Sequence, residues 1–172
     1  LLAVAGAGFQ FSGQAFLIWM PTCIQDGFAM SATRAAFDAS FYPQAASIVG
    51  VLLGARLADK YVGGNKDARR GVQIGGFVLG APFFYLIGAA QTETVVCAAM
   101  AGYGLFKGFY DSNLFASIYD VIDERYRAMA TSFILMFSLI IASMSPYLLG
   151  VLKPLIGLDG GMKLMSLVYL VS

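Results

Sequence analysis

The chain has 172 residues, 59% of them hydrophobic and 12% charged, with a mean hydropathy of +0.74 and a formal net charge of +1. A soluble domain carries about 25% charged residues, so this composition excludes an ordinary soluble fold and predicts a multi-pass membrane protein in contact with the lipid bilayer. The near-neutral charge suggests no nucleic-acid partner, and the absence of histidine removes the commonest metal ligand and general base, so neither a metal nor another cofactor is expected.

Six apolar runs predict an all-α chain. Residues 1–24 form the first predicted helix, with Gln10 and Gln14 on one face and a Trp19-Met20-Pro21 boundary that suits an interfacial aromatic anchor. A polar connection, residues 25–35, carries Arg34. The second helix, residues 36–58, holds Asp38 near its start, then Tyr42, Gln44 and Ser47. A basic, glycine-rich loop follows from Asp59 to Arg70, DKYVGGNKDARR. The third helix, residues 71–90, contains Pro82, which membrane helices tolerate because neighbours satisfy the freed carbonyl. A tight turn leads into the fourth, residues 95–122. The fifth, residues 128–150, has Pro146 near its end. The sixth, residues 161–172, would reach only about 18 Å, against roughly 30 Å of hydrocarbon. With no initiating Met, the chain reads as a fragment of a longer protein.

Loop charges set an orientation. Arg56, Lys60, Lys66, Arg69, Arg70, Arg125 and Arg127 gather on one side, against Arg34, Lys153 and Lys163 on the other. Basic residues favour the cytoplasmic side, so the first helix is expected to enter from the cytoplasm. Three pairs, Gly50/Gly54, Gly76/Gly80 and Gly104/Gly108, have the spacing that lets membrane helices approach closely. Cys23 and Cys97 are expected near the outer face as buried free thiols, a disulfide being the alternative.

The strongest chemical signal is in the fourth helix. Lys107 and Asp111 sit near its middle, four residues apart and therefore on one face, flanked by Tyr103 and Tyr110. Ionisable groups at membrane depth usually face a protein interior or a wet cavity. The pair would bind substrate or couple a proton; a structural ion pair is the competing reading. Gln10, Gln14, Tyr42 and Gln44 are the other polar candidates for the same cavity. Asp59 ends the second helix, where the dipole disfavours an anion, so compensation is expected from Lys60, Arg69, Arg70 or the start of the fifth helix.

The residues ARLADK, followed by ARR, resemble the signature loop of the major facilitator superfamily, which lies between the second and third helices of each six-helix half. KGFYDSNLFASIYDVI and ERYRAMA look like the tenth and eleventh helices of bacterial members, and WMPTCIQDGFAMS like the end of the seventh. The signature is altered: Ala55 holds its first glycine position, with Gly54 one residue early. The resemblance implies the carboxy-terminal half of a twelve-helix secondary carrier, rather than an enzyme or a channel, completed by an amino-terminal six-helix half. It implies a bacterial inner-membrane protein that moves a small polar solute by alternating access, with or without proton or ion coupling. The solute class suggested by the polar residues is a sugar, sugar acid or other organic anion; multidrug efflux is the alternative. The resemblance also implies a cytoplasmic latch that includes Asp59, Lys60, Arg69, Arg70 and Arg127. An intramembrane aspartyl protease is disfavoured, because the fifth helix carries no second carboxylate.

Overall fold

The computed structural model describes residues 2–62 and 67–171. Lys66, one of the expected basic loop residues, lies outside them. The described residues form five continuous helical stretches: α1 (Leu2–Phe28), α2 (Ala32–Val62), α3 (Asp67–Ala89), α4 (Glu93–Tyr119) and α5 (Arg127–Val171), with a short 3-10 turn at Glu124–Tyr126. Inside α5, Gly157 takes φ 70° and ψ 171°, a conformation open essentially to glycine alone. At 1.5 Å per residue, 45 helical residues would extend roughly 68 Å, more than twice the hydrocarbon thickness.

Contacts with α1 show that the chain reverses at Gly157. The arm before it runs parallel to α1: Ser138 lies beside Gly6, and Trp19 Nε1 donates to Pro146 O at 2.9 Å. The arm after it runs antiparallel: Cys23 Sγ meets Asp159 Oδ1 at 3.5 Å, and Ser12 Oγ donates to Met165 O at 3.3 Å. The two arms are therefore separate helices, and the described residues form six helical segments, the number that the apolar runs imply.

α2 and α4 begin before their apolar runs because polar caps recruit flanking residues, and α4 ends at Tyr119, short of the expected residue 122. Ser31 Oγ accepts from Arg34 N at 3.4 Å, so α2 begins before the expected residue 36 and only Ala29–Ser31 remain as a connection. Thr92 caps α4 by accepting from Val95 N. Pro21 does not end α1, which continues to Phe28. The fifth and sixth helices, expected to stop at residue 150 and start at 161, close up to the break at Gly157.

Glycine spacing welds α2 to α4. A Cβ on Gly50 would fall 2.0 Å from Leu105 O, on Gly104 2.1 Å from Pro43 O, and on Gly108 2.5 Å from Ser47 O. Pro43 meets Gly104 at one end of the seam and Gly54 meets Phe109 at the other, so the two helices run parallel. α3 packs antiparallel on the other side of α4, with Gly76 and Gly80 against Phe106 and Phe109. Between α1, α3, α4 and the last arm lies a core of buried rings: Phe9, Phe16, Phe77, Phe84, Tyr103, Tyr110 and Tyr169.

Ala32–Tyr61, Arg69–Ala89 and Glu124–Val171 are long and apolar enough to cross a membrane. α1 and α4 are diluted by polar side chains: Gln10, Ser12 and Gln14 in one, Lys107, Asp111 and Asn113 in the other. Cys23 and Cys97 are free thiols, as expected, Cys23 buried and Cys97 partly so.

Candidate functional site

Helical periodicity assembles a cleft between α1, α2 and α4. Gln10, Gly13, Gln14 and Leu17 follow the i, i+3, i+4, i+7 pattern of one α1 stripe, Ser40, Pro43 and Gln44 form a stripe on α2, and Tyr103 and Lys107 stand one turn apart on α4. Phe9, Phe16 and Ala39 complete the lining around about 210 Å³. Gly13 leaves its own side of the cleft open, since a Cβ there would meet nothing within 4 Å.

Lys107 is the one ionisable side chain among these lining residues other than the phenol of Tyr103. Its Nζ sits 2.5 Å from Asp111 Oδ2, with the two side chains 26% and 30% exposed. The same ammonium lies 5.8 Å from the centroid of the Phe9 ring. Phe9 is itself fixed from behind, 4.1 Å from Tyr110 and 6.0 Å from Phe77 between ring centroids. Asn113 braces the seam below, donating to Phe109 O at 3.0 Å and to Gly54 O at 3.5 Å.

Gln10, Gln14, Gln44, Tyr103 and Lys107 thus share the cleft, and three other expected residues stand apart from its lining. Asp111 is beside it, held by Lys107. Tyr110 is buried in the ring core, against Phe9 and Phe77. Tyr42 is exposed on the other side of α2, edge-on to Phe41. Tyr42 and Gln44 are separated by about 200° around a helix, so one wall cannot present both. Phe9, Phe16, Ser40 and Pro43 were not among the expected residues. Ser40 and Pro43 were legible as the helical neighbours of Gln44.

The opposite end of the bundle carries the charges of the signature loop. Arg69 Nη1 reaches both carboxylate oxygens of Asp120 at 2.9 Å, tying the start of α3 to the end of α4. Arg127 donates to Tyr119 O at 3.2 Å and Ile122 O at 3.4 Å, and pairs with Glu124 at 3.5 Å. These arrangements correct the expected compensation of Asp59. Asp59 is exposed in the last turn of α2 and forms no ion pair with a described residue, while Arg69 is engaged by Asp120. Lys60 lies over the Tyr61 ring, and Arg70 is exposed on the first turn of α3. Asp120 went unnoticed in the sequence because its partner is 51 residues away.

Among the described residues, no three Cys, Asp or Glu side chains converge as metal ligands would. The profile of the family described as Major Facilitator Superfamily matches residues 2–172. The chain belongs to the major facilitator superfamily. No curated protein matches it. Membership makes it an integral, multi-pass protein of a family whose members are generally transporters rather than enzymes, and gives the six helical segments the architecture of a major facilitator half.

Proposed function

We propose that this chain is the carboxy-terminal half of a secondary carrier in a bacterial inner membrane, moving a small hydroxylated organic anion such as a sugar acid. The observation that carries this reading is the cleft itself. One ammonium, Lys107, faces it together with three carboxamides, Gln10, Gln14 and Gln44. A fixed cation supplies attraction for an anion, and carboxamides both donate to and accept from hydroxyl groups. The rings of Phe9 and Phe16 give a sugar-like carbon skeleton an apolar wall.

An amino-terminal half completes the opposite wall, and rocking of the halves exposes the cleft to each side in turn. Asp59, Lys60, Arg69, Arg70 and Arg127 serve the conformational cycle at the cytoplasmic end, with Asp120 as the partner of Arg69. Coupling to a proton or ion belongs to the same scheme, with Asp111 as its carboxylate.

The test is uptake into proteoliposomes by the full-length protein, using radiolabelled gluconate, glucuronate, glucose and a cationic dye. Saturable uptake of an acid, abolished by Lys107→Gln, is the expected result. Uptake of the dye alone would replace this reading with multidrug transport.

A further inference from the structure

Resting on that reading, we infer that Asp111 is a built-in stand-in for the anionic group of the substrate, and that the substrate offers this wall a single negative charge. Three features of the Lys107 environment lead there. Lys107 lines the cleft and Asp111 does not, although the two are joined at 2.5 Å. The Phe9 ring, buried and backed by Tyr110, blocks the core side of the ammonium. With one donor on Asp111 and one side against a ring, the ammonium keeps donor capacity for a ligand in the cleft it lines.

The nearest other formal charges stand at the ends of the bundle. No Asp, Glu, Lys or Arg occurs in α1 before Asp26, in α2 between Asp38 and Arg56, in α3 after Arg70, in α4 between Glu93 and Lys107, or in α5 between Arg127 and Lys153; in the last arm Asp159 meets Cys23 and Lys163 lies over the Tyr85 ring. The empty site is therefore neutral: one cation and one internal acceptor. A substrate carboxylate that takes Lys107 does so in competition with Asp111. A second carboxylate would find no cation on this wall and would have to shed its hydration without a partner. Each side chain of the pair is about a quarter to a third exposed, so Asp111 meets water when Lys107 leaves it, and the exchange strands no dry charge.

Removing the competitor should tighten anion binding. This sign is opposite to that expected if Asp111 merely braces the helix or touches the substrate. The experiment measures equilibrium binding of radiolabelled gluconate to the purified full-length carrier in nanodiscs, with unlabelled glucose and glucarate as the neutral and doubly charged competitors. Asp111→Asn should bind gluconate about 5- to 30-fold more tightly than wild type, the factor that one to two kcal/mol confers, and should exchange it more slowly. Asp111→Glu, which keeps the charge, should retain wild-type affinity, and Lys107→Gln should lose binding. Glucarate should compete less well than gluconate.

If Asp111→Asn fails to reach the membrane, Asp111→Ser replaces it, and the ranking of gluconate over glucarate in wild type stands as an independent measurement. Wild-type binding with unchanged or weaker affinity in both Asp111 variants that lack the charge overturns the inference and leaves the anion carrier standing. Tighter wild-type binding of glucarate also overturns it. No binding of gluconate by wild type or variants overturns both.

Discussion

Gly104 offers the sharpest test of how the cleft is held open at the right width. Its α-carbon faces the α2 backbone, and an added Cβ would lie 2.1 Å from Pro43 O, 2.6 Å from Pro43 Cα and 2.7 Å from the carbonyl carbon. Ordinary contact begins at 3.4 Å, so α2 must retreat by about 1.3 Å along that line, an overpacking of the kind that costs about 1–3 kcal/mol. The upper end applies because the obstacle is backbone and cannot rotate away. Alanine returns about 0.8–1 kcal/mol of helix propensity, leaving a net loss of about 2 kcal/mol for Gly104→Ala. Gly75→Ala is the matched control: nothing lies within 4 Å of its Cβ position, so it should gain about 0.5–1 kcal/mol. The difference of about 3 kcal/mol corresponds to roughly 6–12 °C in melting temperature at this chain length. Thermal unfolding of both purified variants in one detergent measures it. Equal melting temperatures would refute the weld between α2 and α4.

Removing both charges of the central pair, Lys107→Ala/Asp111→Ala, should leave a folded protein at normal membrane level that transports nothing; near-normal uptake would reduce the pair to a structural role. Asp59→Asn should slow transport while equilibrium binding stays nearly intact, and a large binding loss with normal conformational exchange would exclude a latch. Arg69→Ala and Asp120→Ala should show a coupling of about 0.5–3 kcal/mol in a double-mutant cycle of thermal stability, and additivity would deny the pair any energetic role. Gly157→Ala meets no neighbour, so only its backbone angle is strained. It should cost about 1–3 kcal/mol, visible as a lower melting temperature than that of Gly75→Ala.

What the sequence determined by itself was local. Six apolar runs, the glycine pairs at i, i+4 and the placement of Lys107 with Asp111 on one face follow from helix period and bilayer thickness, which need no partner. The altered signature loop was legible for the same reason, as a contiguous string. Helix ends were harder, because a cap such as Ser31 or Thr92 acts through one side-chain hydrogen bond that hydropathy does not register. Which face of each helix meets which neighbour was decided only in three dimensions. The glycine seam rotates α2 so that Pro43, Ser47, Gly50 and Gly54 meet α4. That rotation keeps Gln44 at the cleft and turns Tyr42 away. Phe9 and Phe77 draw Tyr110 into the ring core, although in sequence it stands only one turn from Lys107. Asp120 finds Arg69 for the same reason: the pairing depends on the antiparallel packing of α3 on α4, and no local pattern of residues encodes that contact.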